Sequence, residues 1–155
     1  MMSVCYRTHN APNCKAVKII INKYKNIFGT DRDTAEKMAE LTKGYPFAFQ
    51  VLGYLTWNHS GHYEAVLEEY EQYLSEFVYD KIWSELSQKD RIVARGIAET
   101  ESGKIKEIRE HLGMETNEFN PYRKRLMKKG IVSGETRGYV FFTLPLFERY
   151  VIDNS

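Results

Sequence analysis

Residues Lys104 to Phe142 read KIKEIREHLGMETNEFNPYRKRLMKKGIVSGETRGYVFF, and the fold turns on how this stretch is parsed. Ile105, Ile108 and Leu112 recur at i, i+3 and i+7, which gives one apolar face of a short helix. Gly113 follows, at the left-handed position past a helix end that glycine fills most cheaply. A second helix is predicted to turn Phe119, Tyr122 and Leu126 inward and to stop at Gly130, with Arg123, Lys124, Arg125, Lys128 and Lys129 on its other faces. Two short apolar runs, Ile131 to Ser133 and Tyr139 to Leu144, then flank a turn through Gly134, Glu135, Thr136, Arg137 and Gly138.

Helix, tight turn, basic helix and hairpin in that order are the layout of a winged helix-turn-helix. The helix that must precede them begins at Ser87-Gln88-Lys89-Asp90, a capping box, and runs to about Thr100 with Ile92, Val93, Gly96 and Ile97 inward. After the hairpin, Pro145 ends the strand, and Leu146, Phe147, Tyr150 and Val151 predict a last helical turn or two. Pro121 conflicts with a regular second helix. Either Asn120 caps a short helix with Pro121 at its first position, or the helix starts near Asn117 and is distorted at the proline. The fit of Glu118 and Phe119 to the periodic pattern favours the second.

Upstream, residues 1–15 lack periodicity and are expected to form a mobile N-terminal segment. A helix is predicted from Ala16 to Phe28, with Val17, Ile20, Ile21, Tyr24 and Phe28 on one side. Asp31 or Asp33 caps the next, in which Ala35, Met38, Ala39 and Leu41 face inward before Gly44. Phe47 to Trp57 is apolar almost all round, the pattern of a buried helix at the centre of a first subdomain. From His62 or Tyr63 to about Leu86, apolar residues at three- and four-residue steps (Val66, Tyr70, Tyr73, Leu74, Phe77, Val78, Ile82, Trp83) predict one long connecting helix with an acidic outer face. Its stripe has no clean seven-residue register, which argues against a coiled coil.

The composition is that of a globular protein, 43% hydrophobic and 28% charged. No apolar run approaches the ~20 residues of a membrane span, and the N-terminus has no signal core, so the expectation is a cytoplasmic chain with no membrane partner. Residues 87–155 hold 13 Lys and Arg against 10 Asp and Glu, whereas residues 1–86 hold 9 against 11. The asymmetry permits nucleic-acid contact by the C-terminal half without making it the default. Cys5 and Cys14 are the only cysteines, and with His9, and His59 and His62 more remotely, they match no common zinc spacing, so no metal site is expected. His111 reads as a helix C-terminal residue favoured by the macrodipole.

Residues Ala98 to Ile105, AETESGKI, nearly match a phosphate-binding loop, but Ile105 stands where the metal-binding hydroxyl belongs, a helix precedes, and two Glu lie where phosphates would sit. No nucleophile elbow or Asp-rich metal site is present either, and the chain is read as not an enzyme and without a cofactor of its own. The basic cluster has two readings. Arg123, Lys124, Lys128 and Asn117, with Arg137 on the wing, could face double-stranded DNA, or the cations could be a solvated helix face. Glu115 and Glu118 at the start of that helix weigh against base reading.

Thr42-Lys-Gly-Tyr-Pro-Phe-Ala-Phe-Gln-Val-Leu-Gly-Tyr-Leu55 resembles the helical lid subdomain of prokaryotic AAA+/STAND-type P-loop ATPases, in which a Gly-x-Pro element lies close to the nucleotide. The resemblance extends over about residues 16–152, with Gly44 to Gly53 its most specific part. It implies a mainly α chain: a helical lid-type bundle (16–61), a connecting helix (62–86) and a winged helix with a small two-stranded wing (87–155). It also implies that the nucleotide-binding core lies upstream, that ATP and Mg²⁺ belong to the parent ATPase, and that Gly44, Tyr45 and Pro46 meet nucleotide only with the core attached. Many AAA+ relatives carry an arginine after the proline; Phe47 stands here, which leans toward the STAND branch. The implied role is regulatory, the winged helix binding DNA or the ATPase core. A protein-interaction or homo-oligomerisation module and a free-standing winged-helix DNA-binding regulator are the alternatives.

Overall fold

The structure, a computed structural model, describes residue 19, residues 21–26 and residues 29–155. The segment 1–15 with Cys5, His9 and Cys14, and the positions Val17, Ile20 and Phe28 of the first expected helix, lie outside the described residues. Among the described residues the chain is mainly helical with one two-stranded antiparallel sheet, and it divides into two units, Met1–Val78 and Tyr79–Ser155.

In the first unit residues 21–26 are helical and bury Tyr24. Helix α1 (Arg32–Thr42) is capped by Asp31, whose Oδ1 accepts the Thr34 N–H at 2.8 Å. Such a cap satisfies one of the first-turn amides that the helix itself cannot. Ala35, Met38 and Ala39 are buried as the spacing predicts, while Leu41 is half-buried. The four carbonyls that end α1 are all satisfied. Thr42 Oγ1 donates to Ala39 O at 2.8 Å, the Lys43 N–H to Glu40 O at 3.3 Å, the Tyr70 hydroxyl to Leu41 O at 2.9 Å and the Tyr45 N–H to Thr42 O at 2.9 Å. Lys43 and Gly44 turn the chain through left-handed geometry, φ 49° and 76°, and Pro46 opens α2 (Pro46–Asn58), where its missing N–H costs nothing.

Helix α2 is not buried on every side, contrary to its composition. Ala48, Leu52 and Leu55 are enclosed, but Tyr54 and Trp57 are 62% and 64% exposed. Tyr and Trp carry a polar atom on an apolar ring and tolerate water better than aliphatic residues, so a small unit can leave them outside. Tyr24 joins this helix to the N-terminal one: its hydroxyl donates to Phe49 O at 2.9 Å and its ring centroid lies 4.7 Å from that of Phe49.

The expected long connecting helix is a succession of helical types: a 3₁₀ turn (Tyr63–Val66), α3 (Leu67–Leu74), a π turn (Ser75–Tyr79) and α4 (Asp80–Glu85). The wide turn inserts one residue into the repeat. Val66, Tyr70 and Leu74 are buried at four-residue steps, but the next buried position is Tyr79, five residues on. Phe77, expected inside, is consequently 64% exposed and stacks on Tyr73 at 5.4 Å.

In the second unit α5 (Gln88–Glu99) starts at the expected capping box. The Asp90 N–H donates to Ser87 Oγ at 3.1 Å and the Ser87 hydroxyl to Asp90 Oδ2 at 2.8 Å. Its inward stripe is Asp90, Val93, Ala94 and Ile97; Ile92 lies off that stripe and is 46% exposed rather than inward. Helices α6 (Ile105–Leu112) and α7 (Thr116–Lys128) follow, with Gly113 left-handed between them. Gly96 is required where α5 meets α6, because a Cβ there would lie 2.6 Å from Leu112 Cγ. Strands β1 (Val132–Ser133) and β2 (Phe141–Phe142) pair Val132 with Phe142 and Ser133 with Phe141. A further bridge joins Lys104 to Tyr139, flanked by Ile105 N–H to Gly138 O at 2.9 Å and Val140 N–H to Gly103 O at 2.8 Å.

Helix α8 (Phe147–Asp153) closes the core from the expected final turns. Phe147 meets Tyr79 and Phe142 edge-on at 5.0 and 5.3 Å and stacks with Tyr150 at 5.8 Å. The Tyr79 hydroxyl donates to Pro145 O, and that of Tyr150 to Asp80 Oδ1 at 2.6 Å. Burial first, and then the bond to Asp80, raise the Tyr150 phenol above its ordinary value.

Candidate nucleic-acid interface

Helix α7 presents four faces, and each sorts its residues differently. Phe119 and Leu126 point into the core and are fully buried, while Tyr122 is half-buried rather than inward. Arg123 and Met127, four residues apart, lie against the hairpin: a Cβ added to Gly134 would meet Arg123 Nη2 at 2.8 Å and Met127 Cε at 2.9 Å. Arg123 Nε is buried there without a protein hydrogen-bond partner, so this arginine is packed rather than displayed.

Arg125 is committed elsewhere. Its Nη1 lies 3.0 Å and 3.2 Å from the two oxygens of Asp90, which is 2% exposed, and its guanidinium sits 5.4 Å from the Tyr122 ring centroid. Asp90 therefore caps its own helix and holds a cation on α7, which makes Arg125 a tie between α5 and α7.

The fourth face is Asn117, Pro121, Lys124 and Lys128, spaced at i, i+4, i+7 and i+11 and all exposed. Helix α7 begins at Thr116 and runs through Pro121, as the earlier-start reading expected. The proline has no N–H for the Asn117 carbonyl, and its ring lies on the exposed face of the helix. Glu118 is exposed as well but falls outside this stripe, on the side of the helix, and Glu115 is the exposed, extended residue that precedes its first turn. Arg137 is exposed in the turn between β1 and β2, and Lys129 at the end of α7 is exposed too. Of the residues proposed from sequence, Asn117, Lys124 and Lys128 share one surface, Arg137 stands on the hairpin, and Arg123 is drawn inward.

The Gly44-Tyr45-Pro46 element is a compact turn. Gly44 is buried and left-handed, Tyr45 is extended and half-buried, and Pro46 is exposed. Burial raises the Tyr45 phenol above its ordinary value. Residues 98–105 form the end of α5 and a turn at the left-handed, buried Gly103, with no strand ahead of it. Among the described residues no group of three His, Cys, Asp or Glu is arranged to hold a metal ion. His59 Nδ1 lies 2.9 Å from Leu55 O, and His111 pairs through Nε2 with Glu99 Oε2 at 2.6 Å.

One family model overlaps the helices, the hairpin and most of the closing aromatic helix of the second unit. Residues 76–151 match DUF8462, a domain of unknown function. The DUF8462 match takes in every face of α7 described above together with Tyr79, Asp90 and Arg137, and it stops short of the Gly44–Pro46 turn. No curated protein and no solved structure matches the chain. No described helix is long and apolar enough to cross a membrane.

Two features escaped the sequence reading. The Asp90–Arg125 pair was hidden because Asp90 already had a role in the capping box. The outward stripe of α7 was hidden because the cations were read as one cluster; a helical wheel centred on Phe119 and Leu126 separates them.

Proposed function

We propose that the chain is the lid and winged-helix portion of a STAND or AAA+-type ATPase, and that its winged helix contacts the phosphate backbone of double-stranded DNA. The observation that carries this reading is the outward stripe of α7, Asn117, Lys124 and Lys128 without an intervening acid, next to a hairpin bearing an exposed Arg137. Lysines four residues apart on one exposed face can each meet a phosphate, and an asparagine near the start of such a helix can reach a base edge. The winged-helix reading is supported by the isolated Lys104–Tyr139 bridge, which ties the start of α6 to the hairpin.

The lid reading rests on the resemblance over Thr42 to Leu55 and is supported by the buried, left-handed Gly44 and the helix-opening Pro46. Gly44, Tyr45 and Pro46 would serve nucleotide only beside an ATPase core. In this role the chain has no catalysis of its own, and ATP with Mg²⁺ belongs to the parent protein. A second partner, the ATPase core itself, is favoured by the exposed Glu115 and Glu118, which would suit a basic protein surface better than a phosphate.

A mobility shift with random-sequence duplex at low salt tests the DNA contact. Retardation that is lost in Lys124→Ala/Lys128→Ala is the expected result. No retardation by the wild-type chain would overturn it and leave docking on the core. An in-frame phosphate-binding loop in the DNA upstream of the Met1 codon would test the parentage.

A further inference from the structure

Helix α3 and the π turn after it present an outward face that the core does not use. Tyr73 and Phe77, four residues apart, stack at 5.4 Å, and the Phe77 ring is 64% exposed. Unlike tyrosine or tryptophan, phenylalanine has no polar atom to offer water, so covering this ring recovers transfer free energy. Glu69 stands one turn before Tyr73 in the same row and is exposed. The neighbouring row is polar throughout: Glu68, Gln72 and Glu76 are exposed, and Gln72 Nε2 donates to Glu76 Oε1 at 3.0 Å. Residues 62–79 hold five glutamates and no lysine or arginine. The exposed ring is therefore bordered by carboxylates with no cation of its own segment beside them.

The same chain carries a face of the opposite kind. Residues 119–134 hold five lysines and arginines and no acid. Arg123 is packed on the hairpin and Arg125 is paired with Asp90, which leaves Lys124, Lys128 and Lys129 exposed. Met127 lies one turn from Lys124 and is 37% exposed, and a thioether is a favourable neighbour for an aromatic ring. We propose that the α3 face of one copy docks on the α7 face of a second copy, Phe77 and Tyr73 against Met127 and the lysine stems, with Glu68, Glu69 and Glu76 opposite Lys124, Lys128 and Lys129. The occupant is a second copy because the complementary face, opposite in charge and with an exposed apolar residue beside it, is part of this chain. Two different patches meet, so the contact is head-to-tail and does not close on itself as a two-fold dimer does. Exposed ion pairs contribute little each and are screened by salt, so the association is weak and salt-dependent, with the ring supplying the part that salt does not remove. The lysines also serve the DNA contact proposed above, but the association does not rest on that contact, and no nucleic acid enters its test.

The test is sedimentation equilibrium of the full chain over a concentration series at low and at high salt. The weight-average mass of the wild type should rise above that of a single chain with concentration, and less so at high salt. Phe77→Ser, which replaces an exposed ring, should keep the fold and weaken the association by roughly tenfold. Two charge-reversed variants, Glu68→Lys/Glu69→Lys/Glu76→Lys and Lys124→Glu/Lys128→Glu/Lys129→Glu, should each stay single chains, and their equimolar mixture should regain association. The proposal is overturned if the wild type stays a single chain at every concentration, which would leave the α3 face to another basic partner. It is equally overturned if association is indifferent to salt and to Phe77→Ser, or if the mixture stays dissociated while the wild type associates.

Discussion

Arg125 Nη1 lies 3.0 Å from Asp90 Oδ1 and 3.2 Å from Oδ2, joining two helices across a separation of 35 residues in the chain. Asp90 is buried and also completes the Ser87 cap, so replacing it leaves Arg125 uncompensated and the cap incomplete. Asp90→Ala should lower stability by about 2–4 kcal/mol, read as a shift in urea midpoint at constant m-value. Arg125→Met keeps the apolar stem over Tyr122 and should destabilise less. Its DNA binding should stay close to wild type, which separates this cation from Lys124 and Lys128.

Gly103 has φ +70°, and a Cβ there would fall 2.3 Å from Phe141 Cε1. Gly103→Ala meets both a left-handed backbone and an overlap with the Phe141 ring of β2, beside the bridge that pairs Lys104 with Tyr139. The expected loss is about 2–4 kcal/mol, measured by chemical denaturation. Gly113→Ala, also left-handed but with open space around it, should lose only about 1–2 kcal/mol.

The π turn predicts an inversion of what the apolar pattern suggests. Phe77→Ser should change stability by no more than ~0.5 kcal/mol because the ring is exposed. Tyr79→Ala should cost about 3–5 kcal/mol, since its ring is buried against Phe147 and Tyr150. Thermal denaturation of the two variants side by side is the check.

Glu99 Oε1 lies 2.6 Å from Arg95 Nε and its Oε2 2.6 Å from His111 Nε2. The hydrogen bond from Arg95 and then that from His111 hold this carboxyl below its ordinary value. A lowered folded-state pKa gives stability that is present above the unfolded value, near pH 4.5, and lost as pH falls through the folded one. Glu99→Gln should therefore flatten the stability profile on the acid side of pH 4.5 while changing it little in shape near neutrality. The effect is small because the pair lies at the surface, with about a third of the Glu99 side chain open to solvent that screens it.

Much of this architecture was legible in the chain because local signals agreed. Ser87 with Asp90, Asp31 with Thr34, and the glycines at 113 and 130 mark helix ends by chemistry that acts within four residues. The hairpin and the closing helix at Phe147 were legible for the same reason. The failures share a cause too. Tyr54 and Trp57 sit outside because the neighbours that would have covered them are not specified by their own segment. Tyr79 sits inside because a single inserted residue in the π turn shifts the phase of everything after it. At α7 the sequence displayed the cations, but only the packing of Asp90 and Gly134 shows which are engaged and which remain outward.

The central claim, that the outward face of α7 and the hairpin turn meet duplex phosphates, is tested most directly by anisotropy of a labelled random-sequence duplex across a salt series. The account predicts a logarithmic affinity that falls linearly with log salt, with a slope that flattens by roughly 3 in Lys124→Ala/Lys128→Ala/Arg137→Ala. Binding that is absent at low salt, or a slope unchanged in that variant, would contradict it.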